Sequence, residues 1–220
     1  MKVHHEGRDV LAIYFIILSV LNGALYYFFH QPILSYIVGA VSLILFLIVL
    51  NFYRSPYRRF EGDMTNIVVS SADGKIVAIE EVYEGEYFKD KRLLVSVFMS
   101  PFNVHANWFP MNGKVLFAKH HDGRFMAAYL PKSSTENERS TVVIESEDGK
   151  NQILLRQVAG AMARRIVTYP KAGDEAHIDS HLGFIKLGSR VDLYLPLGAE
   201  ILVEMDQKVA GNQTVIAKLK

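Results

Sequence analysis

Four kinds of side chain in this sequence could do chemistry, and they lie far apart along the chain. Ser189 follows Gly188 between two apolar runs, Gly183-Phe184-Ile185-Lys186-Leu187 and Arg190-Val191-Asp192-Leu193-Tyr194-Leu195-Pro196. A hydroxyl set there is a nucleophile outside any polar loop; the plainer reading is a strand-entry turn. His105 closes Phe98-Met99-Ser100-Pro101-Phe102-Asn103-Val104-His105, where a strand gives way to a loop. Imidazole gives and takes protons near neutrality, which suits general acid–base work. A hydrogen-bonded loop histidine fits the same pattern. Asp73 is a carboxylate in Ala72-Asp73-Gly74, an everyday turn signal. Arg164 and Arg165 present planar donor forks of the kind that bind phosphate esters, or else one exposed and one salt-bridged cation. The chain has no cysteine, which removes disulfides, thiolate metal sites and a thiol nucleophile together. His177 and His181 have helical spacing, but Gly173-Asp174 and Asp179-Ser180 mark a loop and no third ligand follows, so no metal is expected. His4-His5 and His120-His121 read as solvated pairs.

The elements that must position these groups are mostly short strands. From Arg190 onward apolar and polar residues alternate, putting Val191, Leu193 and Leu195 on one face of a half-buried strand that stops at Pro196. Residues 67–70 and 75–79 flank the Asp73-Gly74 turn, and residues 93–99 and 113–117 read as further strands. Residues 141–145 and 152–155 flank Asp148-Gly149-Lys150, a hairpin signal. Val209-Ala210-Gly211 before Thr214-Val215-Ile216-Ala217 resembles the ending of lipoyl-type sandwich domains. Residues 160–165 fit a helical turn or a strand bend, and the polar residues 132–140 fit an exposed loop. Trp108-Phe109-Pro110-Met111 suits either core packing or a lipid head-group region.

The N-terminus differs in kind. Residues 10–29 and 33–53 are uncharged runs of 20 and 21 residues, each long enough to cross a bilayer's hydrocarbon core as a helix. His30-Gln31-Pro32 is the turn between them, and a second span directly behind the first argues against a cleaved signal peptide. Lys2 and Arg8 precede the pair, and Arg54, Arg58 and Arg59 follow it, which predicts both ends in the cytoplasm. The expected fold class is therefore a mainly β (α+β) soluble domain with sandwich- or barrel-like sheets and lipoyl-like C-terminal strands, preceded by a transmembrane helical hairpin. The expected division is a hairpin over residues 1–54 and a β-rich domain over 55–220, at the inner (cytoplasmic) membrane and facing the cytoplasm. A net charge of +1 gives no sign of a nucleic-acid partner.

Five pieces in order carry a resemblance. They are Phe52-Tyr53-Arg54-Ser55-Pro56-Tyr57-Arg58, Ser70-Ser71-Ala72-Asp73-Gly74-Lys75-Ile76, the stretch ending at His105, Gly160-Ala161-Met162-Ala163-Arg164-Arg165-Ile166-Val167, and the stretch around Gly188-Ser189. Over residues 52–219 the sequence closely resembles the phosphatidylserine decarboxylases, in their short, membrane-anchored bacterial form. The resemblance implies self-cleavage between Gly188 and Ser189, conversion of Ser189 to a pyruvoyl cofactor, and decarboxylation of phosphatidylserine drawn from the bilayer. It implies that His105 serves as proton carrier with Asp73 orienting it, that Arg164 and Arg165 bind substrate, and that the pieces 1–188 and 189–220 stay associated. Family members often carry a second histidine three residues after the first; Trp108 stands there here. A homo-oligomer is left open. Two other readings compete: a non-enzymatic, membrane-anchored β-sandwich adaptor, and a serine hydrolase using Ser189, His105 and Asp73. The hydrolase reading lacks a Gly-x-Ser-x-Gly elbow, since Arg190-Val191 follows Ser189.

Overall fold

The computed structural model describes residues 2–123, 136–160, 165–186 and 189–220, and the chain divides into two compact units, Met1–Tyr57 and Arg58–Lys220.

The first unit holds β1 (Lys2–Val3), α1 (His5–Phe29), α2 (Pro32–Phe52) and β2 (Arg54–Ser55). At 1.5 Å per residue the helices run about 38 and 32 Å, against a hydrocarbon core of about 30 Å. Each end has a local cause. His4 is buried and its Nδ1 accepts the Glu6 N–H at 3.3 Å, so it caps α1 instead of sitting in solvent as expected. His30 ends α1 in the left-handed region (φ 50°), its N–H bonded to the Tyr26 carbonyl, and Pro32 opens α2 where no intrahelical N–H is needed. Asn22 Nδ2 donates to Ser42 Oγ at 2.8 Å, joining the two helices, while most of their large apolar side chains face outward. The arginine-bearing segment after α2 begins as a strand: β2 pairs with β1 in antiparallel register.

The second unit is built of strands: β3 (Ile67–Val69), β4 (Gly74–Glu84), β5 (Asp90–Met99), β6 (Ala106–Trp108), β7 (Gly113–His121), β8 (Arg139–Ser146), β9 (Gln152–Ala159), β10 (Arg165–Thr168), β11 (Glu175–Ala176), β12 (His181–Lys186), β13 (Ser189–Leu195), β14 (Glu200–Ile201), β15 (Lys208–Val209) and β16 (Val215–Lys218). A curled eight-stranded sheet has the order β11-β7-β8-β9-β13-β5-β4-β15, and two three-stranded sheets, β10-β12-β6 and β14-β16-β3, complete the unit. The apolar core lies between them: Val95, Val97, Val191, Leu193 and Leu195 from the large sheet meet Ile166, Leu182 and Ile185 from one small sheet and Val68 and Ile216 from the other. The β8–β9 hairpin forms where Asp148-Gly149 predicts it, with Gly149 at φ 70°, a conformation that favours glycine. Trp108, Phe109 and Met111 are core residues, so the head-group reading of that cluster is wrong; the Trp108 indole lies so close over Gly211 that a Cβ there would collide with it.

One expectation changes in an instructive way. β13 is buried on both faces, not one. Arg190, Asp192 and Tyr194 point away from the apolar core into a charged layer on the far side of the large sheet, covered by the turn between β4 and β5. There Arg156 bonds Glu84 at 3.1 Å, Glu86 at 2.8 Å and the Tyr194 hydroxyl oxygen at 2.8 Å. A cavity of about 670 Å³ opens beside it, lined by Glu84, Glu86, Arg156, Arg190 and Tyr194 among others.

Candidate active site

Ser189 opens the central strand of the large sheet. It lies opposite Met99 of β5 on one side and Ala159 of β9 on the other, and it is fully buried. Its side chain has the parity of Val191, Leu193 and Leu195, so it faces the core layer, where the hydroxyl donates to Met99 Sδ at 3.2 Å. A thioether is a weak acceptor; it holds the oxygen in place without taking its proton. The same sulfur receives Asn107 Nδ2 at 3.8 Å, and Asn107 Oδ1 accepts from Gln157 Nε2 at 2.7 Å. Gln157 Oε1 in turn accepts from Ser140 and Thr168 at 2.7 and 2.8 Å. This buried polar chain was not foreseen; Met99, Asn107 and Gln157 each look like ordinary strand residues until three strands bring them together. Gly188, the other half of the expected scissile bond, lies outside the described residues.

His105 is fully buried directly before β6. Its carbonyl accepts the Ile185 N–H at 3.2 Å and its ring lies 6.4 Å from that of Phe184, so it is tied to the end of β12, the strand that leads into Ser189. Its Nδ1 is 2.9 Å from the Asn103 carbonyl oxygen. A carbonyl can only accept, so Nδ1 carries the proton and Nε2 is the basic nitrogen of the neutral ring.

Asp73 does not orient that ring. Both its oxygens face the Arg58 guanidinium, the Oδ2 contact being 2.9 Å, and Oδ1 also accepts the Gly211 N–H at 2.8 Å. Neither the Asp73 carboxylate nor the Ser189 hydroxyl is hydrogen-bonded to His105. The expected carboxylate–imidazole pair is absent because a bidentate arginine fork outcompetes a single imidazole donor. The assembled triad that a serine hydrolase needs is missing for the same reason. Arg58, read from sequence only as a membrane-flanking cation, is the residue sequence reasoning missed. Its guanidinium stacks 5.3 Å from the Trp108 ring centroid and bonds the Gly211 carbonyl at 2.9 Å. Its neighbour Arg59 is exposed, and nothing in the pair Arg58-Arg59 tells the two apart in advance.

Arg165 starts β10, exposed, opposite Lys186 at the end of β12. Arg164 lies outside the described residues, as do residues 124–135, which include the first four residues of the polar loop. His177 is an exposed turn residue beside Glu175, and His181 sits in β12 with its ring 5.1 Å from Trp108, so the two do not share a helix face. His121 is not solvated as expected: its Nε2 lies 2.6 Å from Glu86 Oε1.

Ser189, His105 and Asp73 all fall inside a region shared with known proteins. The family profile for phosphatidylserine decarboxylase matches residues 45–217. Three proteins named phosphatidylserine decarboxylase proenzyme illustrate the likeness. That of Parabacteroides distasonis is 60% identical over 219 residues, covering 100% of this chain and 99% of its own. That of Bacteroides thetaiotaomicron is 56% identical (100% and 96%), and that of Cytophaga hutchinsonii 48% identical (99% and 99%). Such identity over whole chains is an enzyme's, which overturns the adaptor reading, and this chain belongs to the phosphatidylserine decarboxylase family.

Proposed function

We propose that this chain is a precursor that cuts itself between Gly188 and Ser189 and then, with a pyruvoyl group derived from Ser189, converts phosphatidylserine to phosphatidylethanolamine and CO₂. The observation that carries this is the setting of Ser189: a buried nucleophilic hydroxyl at the first position of a strand held on both edges, oriented by a thioether. Among the described residues no donor engages its oxygen lone pairs, which can attack the Gly188 carbonyl carbon. The Gly–Ser C–N bond then breaks, the released amine takes the hydroxyl proton, and an ester remains. Loss of the Ser189 α-proton expels the Gly188 carboxylate and leaves a carbon–carbon double bond; water adds and the nitrogen departs as ammonia. The small carbonyl so formed would lie where the hydroxyl lies now, buried beside the Met99 sulfur. Once present, the pyruvoyl group supplies an electrophile for the substrate amine and a sink for the electrons left by CO₂.

The remaining tasks fall to ordinary side chains. His105, through Nε2, moves protons at the reacting carbon. Asp73 is a positioning residue, holding Arg58 against Trp108 at the far end of the short strand that His105 leads into. Arg164 and Arg165 take the substrate phosphate. The pieces 1–188 and 189–220 stay together, because β13, β15 and β16 of the shorter one pair with β5, β9, β4 and β3 of the longer. Residues 1–54 anchor the catalytic portion, residues 55–220, to the cytoplasmic face of the inner membrane, where the substrate lies. The test is a denaturing gel with intact mass. The wild-type chain splits at residue 188 and its C-terminal fragment lacks a free amine; Ser189→Ala stays at 220 residues and releases no CO₂ from phosphatidylserine. Scission or CO₂ release by Ser189→Ala would falsify the scheme.

A further inference from the structure

Between Met99, which faces Ser189, and His105 the chain makes a tight turn, Ser100-Pro101-Phe102-Asn103. Asn103 Oδ1 accepts both the Ser100 N–H (2.9 Å) and its hydroxyl (2.7 Å), and the Asn103 N–H returns to the Ser100 carbonyl at 3.0 Å. A turn tied by three bonds is rigid, and this one holds the Phe102 ring outward, 73% exposed. A single exposed apolar residue is unremarkable on most surfaces. Here it stands on the segment joining the strand that faces the nucleophile to the histidine that serves it. The same end of the unit carries two cations: Lys186 and its cross-strand partner Arg165 belong to the sheet whose β12 bonds the His105 carbonyl. A fixed aromatic at the same end of the unit as these cations suits the interface of a bilayer, with the ring among acyl chains and the cations at phosphate level.

We infer that the Ser100–Asn103 turn is a membrane wedge: Phe102 inserts into the lipid leaflet and Lys186 seats on a neighbouring lipid's phosphate, while Arg165 is left to the substrate's own. This rests on the reading that the substrate is a bilayer phospholipid, and it says how a buried site reaches one. The wedge lowers the cost of drawing a lipid headgroup towards His105, because the mouth of the site is already in the leaflet.

The full chain has one tryptophan, Trp108, which is buried, so Phe102→Trp adds a single reporter at the turn. In phosphatidylglycerol vesicles with brominated acyl chains the added emission should be quenched, while that of the unsubstituted protein is not. This readout needs no catalysis, so it survives a failure of the decarboxylase reading. A second variant, Phe102→Asp, should raise KM for phosphatidylserine in vesicles by about tenfold, as expected for losing most of one aromatic ring's burial. KM for a short-chain, monomeric phosphatidylserine should stay at the wild-type value. Unquenched emission at residue 102, or an equal rise in KM for both substrates, overturns the wedge.

Discussion

Removing the imidazole of His105 takes away its basic nitrogen, opposite the one that faces the Asn103 carbonyl, and a positioned acid–base group contributes about 10²–10⁴-fold. His105→Ala should therefore lower decarboxylation by that order. With Trp108 in place of a second histidine, the same substitution should also leave uncut precursor, visible by intact mass. Cleaved but inactive His105→Ala protein would restrict His105 to turnover. Asp73 should behave differently, because it is bonded to Arg58 and not to His105. Asp73→Asn and Arg58→Ala should give matching, milder defects, and the double variant should be little worse than either, since both break one pair. A direct Asp73–His105 partnership predicts instead that Arg58→Ala leaves processing intact.

The strands carry a second kind of consequence. Glu84 ends β4 under the turn that covers the charged layer, with its oxygens accepting N–H groups of Glu86, Tyr87 and Phe88 at 2.9 Å. Burial opposes its ionisation, but those three donors and the Arg156 charge together outweigh burial and hold its carboxyl below the usual range. Glu86 is held low in the same way, burial being outweighed by Arg156, Thr141 and His121. Tyr194 beneath them is pushed up to about 12 by burial and by Asp192, so it stays a neutral phenol that accepts from Arg156. A depressed carboxyl stabilises the fold fully above the ordinary glutamate value of about 4.3 and ceases to do so as pH falls through its folded value. Thermal melts of Glu84→Gln should thus show a smaller loss of Tm between neutral and acid pH than wild type. At neutral pH the variant should lose about 3 kcal/mol, as for breaking a buried pair. Equal acid sensitivity would remove Glu84 from this role. These contacts also explain what the sequence could and could not reveal. The period of two in β13, the Asp148-Gly149 hairpin and the uncharged helical spans are local signals, and all are found where their residues predict. The burial of β13's polar face depends on Glu84, Glu86 and Arg156, whose distance along the chain leaves no local trace. The partner of Asp73 was misjudged for the same reason: Arg58 and Arg59 are chemically alike, and only the fold buries one.

For the chain as a whole, two uncharged helical spans, residues 10–29 and 33–53, with cations on their outer sides and none between predict a hairpin whose ends share a side. A reporter fused after Lys220 should read as cytoplasmic, and one inserted at His30 should read as external. Finding both reporters on one side would refute the hairpin.

The strand that begins at Ser189 lies at the middle of a sheet of eight, with neighbours on both edges and covered faces. The proposed cut at its head would therefore leave the finished object looking much as it did, yet change its history. Before the cut, one continuous chain finds the arrangement with every segment tethered to the next, at the high effective concentration a tether gives. Afterwards β13 has no covalent link to the strands it lies between, and a dispersed mixture must regain by collision what was once guaranteed by connection. A molecule cut in this way is assembled a single time. Its working form is a shape inherited from a chain that no longer exists, and its durability is a matter of never coming apart rather than of being able to return.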